Sequence, residues 1–501
     1  MSQRFQLKPR KLTLTMKPIF PSLISLCSSL GLILPCYAQS ISYSEAEQSI
    51  LTQSYSTQAA QALQQSAQLQ AEAVKGLGLP RVDLNVRAYA FHNEVDVPLN
   101  SLKNNLDNTL TQGVNNQIDQ WQNTSGIPSG VTDTLKDGVG NVIDRGIGLI
   151  PNEATLNLDD QVVRPTISVF MPIYTGGLTS SAKQMAQIQS ERSVINNKQQ
   201  QDLQRFEIIQ AYFNTQLQQQ LLASSLFNFQ AMQNHYQNAL KLEQQGFISK
   251  GQRMQFEVAK NNADRVMQNA QANLRASLFQ LNNLLQSSQV TELSTPLFVN
   301  ATHSQSINQL LASYPEQSSL VQKLQKDTEL AKVKVKAETA AKKPTVFAFG
   351  EYSLDEHQNW IVGVAAQYNL FSGIDKQKNV QAAELQRYAL ELTTQRTIQE
   401  IENVIYKSYS ELETAQQSHV LLQQNMQAAQ ENLRIQMLSF KEDMGTATQV
   451  IDAQNAMTAL KSEMALNAYK YVMSLATLLQ SHGSIAEFQS YVNQKNTQYI
   501  R

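Results

Sequence analysis

Hydrophobic and polar positions follow two different periods along this chain. Over long stretches apolar clusters recur at helical spacing among Gln and Ala, as in QQQDLQRFEIIQAYFNTQLQQQLLASSLFNF at 199–229. Such a pattern predicts a helix with a narrow packing seam and wet outer faces. Glycine and proline, the strongest breakers, are absent from 178 to 245 and from 374 to 444. They are also absent from 40–75, 252–295, 316–343 and 446–482. A continuous helix over 178–245 would be roughly 100 Å long, a length that suits coiled coils or helical repeats better than a compact domain.

Four shorter stretches alternate instead with a period of two. At 81–91 Val82, Leu84, Val86, Ala88 and Ala90 alternate with Asp83, Asn85, Arg87 and Tyr89. At 164–174 Ile167, Val169, Met171 and Ile173 alternate with Thr166, Ser168 and Phe170. The stretch 344–354 is aromatic and less regular, and 359–371 places Trp360, Val362, Val364, Ala366, Tyr368 and Leu370 on one face. Strands of about ten residues with this alternation fit a transmembrane barrel. An ordinary half-buried antiparallel sheet has the same pattern.

Each long helix follows a strand through a similar corner, PIYTGG at 172–177 and NLFSG at 369–373. Gly176, Gly177 and Gly373 are expected to relieve the backbone where strand turns abruptly into helix. A shift of 197 positions superposes Tyr174 on Phe371, Gly176 on Gly373, Ile208 on Ile405, Tyr212 on Tyr409, Ser249 on Thr446 and Leu278 on Leu475. One ungapped register over that span reads as an internal duplication. The expected organisation is a first repeat at 39–300, with strands near 81–91 and 164–174 and helices at 178–245 and 252–295. A second repeat at 301–482 has strands near 344–354 and 359–371 and helices at 374–444 and 446–482. A C-terminal tail follows at 483–501. The first repeat carries an insertion at 92–161, rich in Gly, Pro, Asn and Asp, that reads as an elaborated loop between two strands. It caps the surface, plugs the barrel, or binds something outside.

The first 38 residues change the picture of charge and compartment. Arg4, Lys8, Arg10, Lys11 and Lys17 precede an apolar run at 19–35, and Cys36, Tyr37 and Ala38 follow. That order predicts a secretory signal peptide at 1–38, with Met1 or Met16 as the start. A retained anchor fits less well, because the run is short and interrupted by Pro21. A lipoprotein site is disfavoured by Pro35 directly before Cys36. Cleavage would remove five basic residues from 40, leaving 35 against 41 acidic, a net charge of about −6. Both cysteines, Cys27 and Cys36, would leave with the leader. A mildly acidic chain argues against a nucleic-acid partner, and a thiol-free one has no disulfide framework. No other segment reaches 18 apolar residues, so insertion into a membrane would use strands.

Four strands cannot close a barrel, and an open sheet in lipid leaves unpaired backbone groups along both edges. Several chains would therefore share one barrel, and the same symmetry would gather the long helices into a tube.

With the signal, the paired corners and two helix breaks, QQGFISKGQ at 244–252 and FKEDMGTATQVIDA at 440–453, the chain resembles the TolC-type outer-membrane factors (the outer membrane efflux protein family) over nearly its whole mature length. The resemblance implies a mainly α fold with a small transmembrane β part. It implies four strands and long coiled-coil helices per chain, and a homotrimer whose 12-stranded barrel continues into a helical periplasmic tunnel. The expected function is the passive outer-membrane duct of a tripartite efflux or type I secretion system, set in outer-membrane lipid. Its implied partners are a periplasmic adaptor (membrane fusion) protein and an inner-membrane RND or ABC transporter.

Residue by residue, the resemblance makes Gly246, Phe247 and Ile248, and Asp443, Met444 and Gly445, the turns at the periplasmic tip where the adaptor docks. It makes Asp452, Gln449 and Phe440 gate positions. Asp452 would form a three-fold ring of carboxylates that attracts cations, and its plain alternative is a solvated helix residue. Gln449, Phe440 and Gly445 stand where the family has acidic, tyrosine and basic residues, so the polar latch is altered here. Asp443 tolerates a left-handed turn better than most residues.

Other chemistries are not supported. In GFISKGQ at 246–252 Gln252 stands where a phosphate loop needs Lys, and no strand precedes it. His92, His235, His303, His357, His419 and His482 have no metal-ligand spacing, and there is no nucleophile-elbow motif. No catalytic, cofactor or metal residue is therefore expected. The basic run at 332–343 reads as a solvated helix face. The rival readings are a soluble periplasmic coiled-coil adaptor or scaffold protein, which needs no amphipathic strands, and an envelope enzyme, which needs a clustered polar site.

Overall fold

A computed structural model of the chain describes residues 39–90, 161–287, 290–301, 305–355, 358–371, 373–442 and 444–500, with isolated positions between 106 and 146. The expected signal peptide at 1–38, its two candidate start sites, most of the 92–161 insertion and Asp443 lie outside the described residues.

Helices dominate. The helices α1 (Tyr43–Gln53) and α2 (Tyr55–Ala73) lead to a sheet of four strands, β2 (Arg81–Ala90), β3 (Gln161–Tyr174), β6 (Thr345–Ser353) and β7 (Trp360–Gln367). All three pairings are antiparallel, in the order β2-β3-β6-β7. From β3 the chain enters α3 (Leu178–Gln244), 67 residues long, which folds back as α4 (Lys250–Leu284). From β7 it enters α7 (Lys376–Lys441), 66 residues, which folds back as α8 (Ala447–His482). Between these hairpins run α5 (Ile307–Gln317) and α6 (Ser319–Ala340), the latter leading into β6.

Small residues let the helices approach next to the sheet. Ala182, Ala186, Ala337 and Ala340 are buried with Leu178, Met185 and Val333 where α3 meets α6. Farther from the sheet an aromatic cluster knots the chain: Tyr43, Tyr212, Phe213, Phe298, Tyr471 and Phe488 are all fully buried. Successive ring centroids lie 5.1–6.0 Å apart, mostly edge to face, the arrangement that the ring quadrupole favours. Tyr212 also donates its hydroxyl to the Ile41 carbonyl at 2.9 Å and accepts from the Thr295 N–H at 2.9 Å.

Two differences from the sequence expectation have local causes. The helix expected over 252–295 ends at Leu284, although no glycine or proline stands there. Gln286 adopts φ 54°, and the Gln286 and Ser287 N–H groups donate to the Asn283 and Asn282 carbonyls. That is the double bond pattern with which glycine usually ends a helix. The Asn282 side chain then clamps both backbone groups of Val290, at 2.9 and 3.1 Å. The chain continues in β4 (Val290–Leu293), parallel to β1 (Gln39–Ile41), and β5 (Leu297–Asn300).

The residues expected as a tail are also folded in. After Gly483 the chain forms α9 (Phe488–Val492) and β8 (Thr497–Ile500), which pairs with β5.

Candidate functional site: the sheet, its corners and the helical tip

The register of the four strands sorts the side chains into two unlike faces. Val82 faces Val169, Leu84 faces Ile167 and Val86 faces Pro165. Ala348 faces Val364, Gly350 faces Val362 and Tyr352 faces Trp360. All these belong to one face, which is apolar across all four strands. Leu84, Trp360 and Val362 are 67%, 71% and 73% exposed on it. A continuous exposed apolar surface of this kind marks contact with lipid or another apolar partner.

The opposite face is mixed. Arg87 pairs with Glu351 across the sheet at 3.6 Å, and Arg164 reaches Asp355 at 3.2 Å. Asn85 donates to Ser168 at 3.1 Å. Among these polar groups stand Phe170 and Phe347, with ring centroids 5.0 Å apart. Both outer strands, β2 and β7, have one unpaired edge among the described residues.

The two corners differ in their surroundings. Gly176 has φ +67° and Gly177 φ +107°. A Cβ at Gly176 would lie 2.7 Å from the Ala340 carbonyl oxygen and 2.8 Å from Lys343 Cβ, so the corner is wedged against the end of α6. Gly373 has φ +72° but nothing within 4 Å of its would-be Cβ. The helix after it is started by Asp375, whose carboxylate accepts from the Lys378 and Gln377 N–H groups at 3.1 and 3.0 Å. These bonds hold that carboxyl below its ordinary pKa.

The far ends of the two hairpins are built alike. In the first, the Phe247 N–H donates to the Leu242 carbonyl at 2.9 Å and the Gly246 N–H to Glu243 at 3.0 Å, with Gly246 at φ +80°. Ser249 and Gln252 then form a reciprocal capping box for α4. In the second, the Met444 N–H donates to the Ser439 carbonyl at 2.8 Å, and Thr446 and Gln449 form the matching box. Gln449 is thus occupied by the turn, its Oε1 accepting from the Thr446 N–H at 2.7 Å.

One apolar cluster joins the two turns: Phe256, Ala239, Ala447 and Val450 are buried, with Ile248 and Phe440 packed on them. Phe440 meets Phe256 edge to face at 5.5 Å. It serves here as a packing group, while Asp452 is exposed on α8. Phe247 and Met444 protrude, 69% and 79% exposed. Gly445 is closely covered, since a Cβ there would lie 3.0 Å from the Phe440 nitrogen.

Sequence reasoning missed Arg253. It bridges the first hairpin by pairing with Glu243 on α3 at 3.0 Å and with Glu257 one turn along α4. The Arg253/Glu257 spacing was a visible signal; the partner across the turn was not. His235 lies 5.9 Å from Phe256, and burial pushes its pKa down.

Residues 310–484 match the model of the outer membrane efflux protein family. The chain superposes on solved structures of CusC (14% identity, TM-score 0.68, 88% of this chain and 92% of that one) and of the outer membrane protein VceC from Vibrio cholerae (13%, 0.66, 88% and 96%). It also superposes on the open MtrE outer membrane channel of Neisseria gonorrhoeae (14%, 0.66, 88% and 88%). The fold is that of these outer membrane channel structures. No curated protein sequence matches the chain.

In this fold the four-stranded sheet is the element with a continuous exposed apolar face. No helix among the described residues is long and apolar enough to cross a membrane. Among the same residues no group of three or more His, Cys, Asp or Glu side chains could hold a metal ion.

Proposed function

We propose that the protein is the passive outer-membrane duct of a tripartite efflux or type I secretion assembly. Three chains would contribute four strands each to a 12-stranded barrel and continue as a helical tunnel in the periplasm. The observation that carries this reading is the four-stranded sheet, apolar and exposed on one whole face, unpaired at both edges among the described residues and joined through glycine corners to helices of 67 and 66 residues. Lipid accepts such a face only if every edge is paired, which requires further copies. A soluble coiled-coil adaptor or scaffold has no use for that face.

On this reading the chain contains two structural repeats. Two features support that: the 197-position register in the sequence, and the same turn bonds at Phe247 and Met444. The tip carries Phe247 and Met444 outward as docking side chains for a periplasmic adaptor, and an RND or ABC transporter in the inner membrane supplies the energy. Asp452, repeated by three-fold symmetry, gives the tunnel end a ring of carboxylates that selects against anions. Ser249, Gln252, Thr446 and Gln449 hold the turns that present those docking residues.

The test is in-cell crosslinking from probes at Phe247 and Met444, with fractionation of the envelope. Recovery from the outer membrane, crosslinked to an adaptor of a proton-driven or ABC system, is expected and identifies the cargo class. Recovery from the soluble periplasm without an adaptor overturns the duct.

A further inference from the structure

Part of the inner face of the sheet, around Phe347 and Phe170, is packed as a core. Phe347 is 2% exposed on it, with Phe170 beside it. The residues that cover this face come from the connection between β2 and β3. Leu106, Val139 and Val142 are buried in one cluster with Phe347, and Leu110, Val114, Phe170 and Ala365 pack against them. Gly146 stands over Phe349 so closely that a Cβ there would lie 3.2 Å from the ring. Gly113 lies against the Arg81 guanidinium in the same way, at 3.3 Å.

A duct wall is expected to be polar and wet, whereas barrels that carry an internal plug fill the same space with their own chain. Buried leucines and valines belong to the second case. They would have no reason to seat on phenylalanines of the inner face if the connection extended outward as a surface loop.

From this we infer that the β2–β3 connection is a plug. Its described residues, Leu106, Leu110, Val114, Val139 and Val142, seat on the inner face of the sheet, so that three copies occlude the outer-membrane end of the duct. This rests on the trimeric-barrel reading proposed above. Transport then requires the plug to leave Phe347 and Phe170, independently of any opening at the helical tip.

The register offers a clean excision. Ala90 pairs directly with Gln161, so residues 91–160 can be replaced by Asn-Gly, a two-residue turn that closes the hairpin. Full-length and excised proteins are extracted from membranes, their oligomeric state is measured, and single-channel conductance is recorded in planar bilayers. The expected result is trimers of both, with conductance at least several-fold higher after excision. Trimers of equal conductance overturn the plug and leave the duct standing. If neither protein forms trimers in the outer membrane, the duct reading falls and the plug with it.

A second measurement covers failure of the excised chain to assemble. Ala365→Cys in the full-length protein places a thiol on the inner face in a chain whose other cysteines lie in the leader. Slow labelling by a bulky maleimide, at least tenfold below the same variant labelled after unfolding, supports the plug. Equal rates overturn it.

Discussion

Gly176→Ala and Gly373→Ala make the same chemical change at two corresponding corners, yet they should differ in effect. Both glycines have positive φ, +67° and +72°. A methyl group in that region costs about 1–2 kcal/mol at either site. At Gly373 the cost stops there, because nothing lies within 4 Å of the new atom. At Gly176 the new Cβ meets the Ala340 carbonyl oxygen at 2.7 Å and Lys343 Cβ at 2.8 Å. Neither is the free end of a flexible chain, so α6 must move off α3. Overpacking of this kind costs about 1–3 kcal/mol more, for a total of roughly 2–5 kcal/mol. In a chain of this size each kcal/mol moves the melting temperature by roughly 1–2 °C, by extension of the known size dependence. Thermal unfolding of purified protein in detergent, followed by intrinsic fluorescence, should place Gly176→Ala several degrees below Gly373→Ala. Equal melting temperatures would refute the claim that contact with α6, rather than backbone conformation alone, fixes the first glycine.

Other consequences can be checked in parallel. Val364→Lys, midway along β7 on the exposed apolar face, should cost about 2–4 kcal/mol if that face meets lipid and lower the yield in the outer-membrane fraction; full yield would count against lipid contact. Ser249→Ala and Thr446→Ala each remove one half of a capping box. Each should cost about 1 kcal/mol, seen as faster amide exchange at the start of α4 or α8 and nowhere else. His235, His419 and His482 all have pKa values lowered first by burial. Above the unfolded value near 6.5 they are neutral in both states. Below it only the unfolded chain takes up the protons readily, so stability should fall as the medium acidifies. His419→Gln should flatten that acid limb in urea titrations at successive pH values, and an unchanged slope would exclude His419 as a contributor.

Much of the architecture is legible in the sequence, for physical reasons. The long helices announce themselves because a helix of more than sixty residues must exclude glycine and proline throughout. The sheet announces itself through strict alternation, since one apolar face demands every second residue. The end of α4 was hidden because Gln286 adopts the left-handed turn that glycine normally takes, and only the Asn282 clamp on Val290 explains the choice. The C-terminal fold was hidden because β8 is short and gains its meaning from a partner strand nearly two hundred residues away. At the tip the turn positions could be read from Gly246 and the Ser/Thr-x-x-Gln boxes. The placement of Phe440 against Phe256 depends on tertiary packing and could not.

The two edges left unpaired among the described residues, on β2 and β7, bear on how such a protein is made. On the proposed reading no single copy can enter lipid alone, because it would carry bare backbone groups with it. Insertion and association then become one event, and its rate should climb more steeply than in proportion to the amount of chain supplied. Halving expression would cost more than half of the finished ducts. The unfinished copies, with a sticky apolar sheet and two open edges, would accumulate as a burden for the folding helpers of the envelope.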